Sequence, residues 1–140
     1  MVKGMEQVLI VIGASIFGIL GIVHLYYTFF TNKFAACDPD VTKAMMSISP
    51  ILTKETTVWD AWVGFNASHS LGIISLAAVY ISLATNHLIV IEESIWFTFL
   101  PVVVGLSYMA LAKRYWFKIP FVGISISTVC FLIAAILIGL

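Results

Sequence analysis

His24 and His69 carry the most chemical potential in this chain, because each stands inside a long apolar run. Hydrocarbon penalises polar side chains, so an ionisable group at membrane depth marks a functional-site hypothesis by default. Around His69 the sequence reads Val58-Trp59-Asp60-Ala61-Trp62-Val63-Gly64-Phe65-Asn66-Ala67-Ser68-His69-Ser70-Leu71-Gly72. Wound as a helix, Trp62, Asn66, His69 and Ile73 fall on one line. Asn66 and His69 then project into one space, with Trp62 above them.

Three chemistries suit such a group. A hydrogen bond between helices would make it a packing device. His, Asn and Tyr side chains in an apolar surround would suit the head group of a quinone, a sterol or a fatty acyl chain. Two imidazoles could also serve as axial ligands of a b-type haem, or act in a lipid-modifying enzyme, provided they stand at compatible heights. A zinc or copper site would want three or four ligands. Cys130 stands too near the far end of its run to complete one, so no metal site is assigned. The candidate ligand-binding residues are therefore His24, Trp62, Asn66, His69 and Tyr108. No catalytic residue is named, and the residues specify no cofactor.

The elements that would position these residues are plain in the composition. The 140 residues are 61% hydrophobic and 10% charged. Soluble domains run at about 45–50% apolar and about 25% charged. Four apolar stretches, about 8–30, 58–84, 95–112 and 119–140, approach or exceed the roughly 20 residues that cross a bilayer. Strands of a membrane barrel would alternate polar and apolar residues, so helices are expected. The fold class is an all-α four-helix transmembrane bundle in a single domain. The first apolar run, about 23 residues, exceeds the roughly 7–15 of a signal-peptide core and reads as a span.

Counting along the helices places the polar groups at similar depths from one side. His24 lies about 10 Å in, His69 roughly 15 Å, Tyr108 about 8 Å, and Ser125 and Ser127 about 10–14 Å. A polar layer to which all four spans contribute is the expectation. A small-residue stripe, Gly64, Ser68 and Gly72, is expected to pack the second span against Ala14, Gly18 and Gly21 of the first.

Polar residues gather in three places. In the longest loop, Thr31 to Thr57, Asp38-Pro39-Asp40 predicts a helix start, with Asp38 as N-cap and Pro39 in the first turn. Val41, Met45, Met46 and Ile48 follow at near-helical spacing and Pro50 ends the run. A short amphipathic helix at the membrane surface, or one that caps the bundle, is expected. Asn86 to Ser94 reads as a short acidic connection, with His87 exposed. Lys113 to Lys118 reads as a tight turn. Asp60 is expected to pair with Lys54 or Arg114.

Charge gives orientation. Lys33, Lys43, Lys54, Lys113, Arg114 and Lys118 fall on one side and only Lys3 on the other. The positive-inside rule puts the first side in the cytoplasm and both termini outside it. Seven basic and seven acidic residues cancel, and no basic stripe is interleaved with aromatics, so nucleic acid is not an expected partner. Membrane lipid, a hydrophobic small molecule, and a homo-oligomer or larger membrane complex are the expected partners. No HExxH, phosphate-binding glycine loop or GxSxG is present. The pattern favours a binding protein or an accessory subunit over an enzyme.

The run Gly21-x-x-His24-x-x-Tyr27-Thr28, followed by Thr56-Thr57-x-Trp59-x-x-Trp62-x-Gly64-Phe65-Asn66-x-Ser68-His69-x-x-Gly72, resembles a family of small bacterial four-helix membrane proteins. Tyr115-Trp116-Phe117-x-Ile119-Pro120 fits the same pattern. That family has no established activity. The resemblance implies a bacterial inner-membrane location and the four-helix architecture, and singles out His24, Asn66 and His69. A looser likeness extends to the sterol-handling EXPERA proteins and to DoxX-like proteins, without the charged intramembrane pair of the EXPERA type.

Overall fold

Apolar side chains dominate every long segment, and the backbone satisfies its own hydrogen bonds by coiling. The computed structural model describes residues 4–139 and contains only helices and their connections among them. Lys3 and Leu140, which entered the charge count and the end of the fourth span, lie outside the described residues. The helices are α1 (Met5–Phe30), α2 (Pro39–Ser47), α3 (Val58–Asn86), α4 (Leu88–Glu92), α5 (Ile95–Tyr115) and α6 (Lys118–Ile138). α1, α3, α5 and α6 are long and apolar enough to cross a membrane. The chain is an all-α, multi-pass membrane protein.

The helix boundaries follow local chemistry. α2 begins where the Asp38 carboxylate accepts from the Asp40 N–H at 2.9 Å, with Pro39 in its first turn. The Thr57 hydroxyl oxygen accepts from the Asp60 N–H at 3.0 Å, and the same hydroxyl donates to the Asp60 carboxylate at 2.8 Å. The expected Asp60 ion pair thus gives way to a local cap at the start of α3, because the Thr-x-x-Asp spacing offers an acceptor to an otherwise orphan donor. α5 runs to Tyr115, past its expected end near 112. It carries Lys113 and Arg114 in its last turn, where positive charge suits the helix dipole. The expected Lys113–Lys118 turn therefore shrinks to Trp116 and Phe117. The acidic 86–94 connection contains the one-turn α4, whose Leu88-Ile89-Val90-Ile91 run buries Ile91. Glu92 and Glu93 concealed that apolar turn in the sequence.

The chain divides into two compact units, one of residues up to Leu20 together with Ile73 onward, the other Gly21–Gly72. In the first unit parts of all four long helices surround Phe17, Tyr80, Ile124 and Phe131, each 1% exposed or less. The Phe17 and Phe131 rings meet edge to face at 5.6 Å. Polar groups here serve the packing. The Tyr80 hydroxyl donates to the Phe97 carbonyl at 2.8 Å, and the Gln7 amide donates to the Ala84 carbonyl at 2.9 Å. The buried Ser127 hydroxyl donates to the Gly13 carbonyl, which ties α6 to α1. A Cβ on Gly13 would lie 3.0 Å from the Phe131 ring, so a glycine is what lets these two helices approach.

The expected stripe contact is corrected here. Gly18 of α1 packs on Ala77 of α3, where a Cβ on the glycine would be 3.2 Å from that methyl. Gly64, Ser68 and Gly72 instead face outward as exposed residues.

The second unit comprises the end of α1, the 31–57 loop with α2, and the start of α3. The loop is folded by specific bonds. The Ala36 N–H donates to the Thr42 hydroxyl at 3.1 Å, and the Val58 N–H donates to the Ile48 carbonyl at 2.8 Å. No residue of α2 is buried.

Candidate functional site

His24 lies six residues before the end of α1 and Asn66 eight residues after the start of α3. At the rise of a helix these are about 9 Å and about 12 Å from the same end of the helix pair. Near-equal depth lets the two side chains meet. The His24 Nε2 lies 3.0 Å from the Asn66 Oδ1. The Asn66 Nδ2 donates to the Trp62 carbonyl at 2.8 Å, one turn back on α3.

These two bonds settle the proton on His24. A backbone carbonyl only accepts, so the amide nitrogen of Asn66 must face Trp62. Its oxygen then faces His24, and an amide oxygen also only accepts. His24 Nε2 therefore carries a hydrogen and donates. In the neutral ring Nδ1 is left with a lone pair. That nitrogen makes no hydrogen bond among the described residues.

His69 sits one turn beyond Asn66. Its ring centre is 5.4 Å from that of His24. On another side of His24 lies Phe34, with ring centres 4.5 Å apart. Phe34 belongs to the loop after α1, and the Trp62 indole donates to its carbonyl at 3.1 Å. The Lys33 ammonium lies 4.9 Å from the centre of the Tyr27 ring, which also turns this stretch back over α1. The result is a small polar cluster with the Phe34 ring against His24 and the Trp62 indole tying the loop to α3. His24, Asn66 and His69 are each half-buried, and Trp62 is 42% exposed.

Four of the five sequence-selected residues, His24, Trp62, Asn66 and His69, thus come together in one unit. Tyr108 belongs to the other unit, where its ring neighbours are Phe17 and Trp116, each at 6.3 Å. The serines of the expected polar layer serve the backbone. Ser125 bonds the Phe121 carbonyl at 2.7 Å and Ser127 bonds the Gly13 carbonyl. Phe34 was not selected from sequence. The signal available was an apolar ring stranded in a polar loop four residues past the end of a span.

The two imidazole centres lie 5.4 Å apart with the planes at 56°, and the His24 Nε2 is engaged as a donor to Asn66. Among the described residues no group of three or more His, Cys, Asp and Glu gathers as a metal site would require. The Cys37 and Cys130 thiols are free.

What the arrangement can do is hydrogen-bond a polar group that enters beside His24. With Nε2 donating, the imidazole can present an acceptor at Nδ1, and the Phe34 ring supplies an apolar wall beside it. No family model, curated protein or solved structure matches the chain.

Proposed function

We propose that this protein binds the polar end of an amphiphilic molecule, quinone-like or lipid-like, at the His24–Asn66–His69 cluster. The observation that carries the reading is the fixed His24 ring. Asn66 holds it with Nε2 as donor, which leaves Nδ1 as an acceptor in an otherwise apolar stretch of helix. A hydroxyl head group, as in a quinol, a sterol or a long-chain alcohol, complements that acceptor. An ionisable side chain at membrane depth that is held by a partner is a functional-site hypothesis by default. The protein acts in this reading as a binding protein or as the ligand-holding subunit of a larger assembly. We place it in a bacterial inner membrane on its resemblance to small bacterial four-helix membrane proteins, and the 31–57 loop in the cytoplasm on its Lys and Arg distribution.

Mass spectrometry of molecules that co-purify with the protein tests the reading. The wild-type protein is expected to retain a stoichiometric amphiphile that His24→Ala and His69→Ala lose, while helical content stays unchanged. Equal amounts on all three proteins would refute it and return the cluster to helix packing.

A further inference from the structure

Among the described residues, the two most exposed large apolar side chains are in neither the cluster nor the spans. Ile51 is 107% exposed and Leu52 is 94% exposed, and both stand at a turn between α2 and α3. Val41, Met46 and Ile48, on and just after α2, are about half exposed, at 48%, 50% and 56%. Adjacent branched apolar side chains held clear of their own protein are strongly disfavoured in water.

The backbone limits where this turn can go. The Val58 N–H bonds the Ile48 carbonyl at 2.8 Å, which closes residues 49–57 into a loop at the first residue of α3. Ile51 is three residues and Leu52 four residues from Ile48, a reach of at most about 10–14 Å. The polar zone of a bilayer is roughly 5–8 Å deep on each side. Trp59 and Trp62 occupy the first turns of α3, the position where such rings mark the membrane boundary. A turn tied to that boundary has the head-group zone within reach. Lys54 and Glu55, next in sequence, are exposed, and a lysine stem can lie along lipid while its ammonium stays in water.

We infer that Ile51 and Leu52 insert into the same bilayer leaflet that the nearby ends of α1 and α3 enter. With α2 alongside, they anchor the 31–57 loop as an in-plane lipid-binding element. The occupant is the acyl boundary of this membrane. The chain between the spans is thereby moored at three points, namely the end of α1, the Ile51–Leu52 turn and the start of α3.

The test uses the full chain with Cys37→Ser and Cys130→Ser, reconstituted in phosphatidylcholine–phosphatidylglycerol vesicles. Single variants Ile51→Cys, Leu52→Cys and Lys54→Cys each carry an environment-sensitive fluorophore. The dye at 51 and 52 is expected to emit to the blue of the dye at 54. It should be quenched severalfold more by shallow nitroxide-labelled lipids than by aqueous iodide, with the reverse at 54. Ile51 and Leu52 touch little of the protein, so substitution there leaves the fold intact, and either position alone is informative. Strong iodide quenching at 51 and 52 would overturn the inference in favour of a free turn. Protection from both quenchers would overturn it in favour of a protein cover.

Discussion

Asn66 decides more about the cluster than either histidine does. Its amide has one orientation open to it, set by the Trp62 carbonyl, and that orientation fixes the donor on His24. Replacing it with leucine keeps the branched shape and removes both bonds. Hydrogen bonds between membrane helices are worth about 1 kcal/mol. Asn66→Leu is therefore expected to lower unfolding stability by about that amount, measured by denaturant titration in mixed micelles. The same variant should free the His24 tautomer, which nitrogen NMR of labelled histidine would register as a shift away from the Nε2–H form. A stability loss without a change in tautomer would separate packing from the proton assignment. The spacing of Trp62, Asn66 and His69 put this line of residues in view from the sequence, and the apolar setting of His24 supplied its partner. Phe34 escaped notice because its place depends on a loop that turns back on α1, and nothing periodic announces a loop's path.

At the scale of elements, the polarity of short segments misleads where hydrocarbon replaces water. The four long helices were legible because length and hydropathy alone define a span, and the Asp-Pro start of α2 was legible because capping chemistry is local. The α1–α3 contact was not. Two small-residue stripes looked complementary, yet spacing does not say which face of a helix turns inward when both faces are apolar. Gly13 and Gly64 make the distinction measurable. A side chain at Gly13 would strike the Phe131 ring and the Ser127 carbonyl, whereas a Cβ at Gly64 meets nothing within 4 Å. Gly13→Leu is expected to cost about 1–3 kcal/mol, the usual range for overpacking. Gly64→Leu should leave the unfolding midpoint nearly unchanged. A larger loss at Gly64 than at Gly13 would contradict the outward placement of the Gly64, Ser68 and Gly72 stripe.

For the molecule as a whole, the division into two units separates roles. The unit of residues up to Leu20 and from Ile73 onward spends its polar groups on holding helices together, as Ser127, Tyr80 and Gln7 show. The Gly21–Gly72 unit keeps a half-buried polar cluster and an apolar loop surface. The proposed orientation rests on charge, and Cys37 can test it, since its thiol is exposed in the 31–57 loop. In a Cys130→Ser background, a membrane-impermeant maleimide is expected to label Cys37 in inverted inner-membrane vesicles and to leave it unlabelled in right-side-out vesicles. The opposite pattern would place the loop outside. The identity of the proposed ligand was beyond the sequence for a physical reason. One acceptor nitrogen beside one aromatic ring suits a hydroxyl on an apolar body, and many molecules meet that description.

The central claim is that His24 presents its Nδ1 lone pair to a hydroxyl-bearing amphiphile. Histidine nitrogen NMR of delipidated protein in lipid nanodiscs, titrated with a short-chain quinol and with a long-chain alcohol, tests it most directly. The account predicts that the His24 Nδ1 resonance moves to saturation with at least one of them while Nε2 keeps its hydrogen, and that Asn66→Leu abolishes the response. A His24 ring that carries its hydrogen on Nδ1, or that is unmoved by either amphiphile, would contradict it.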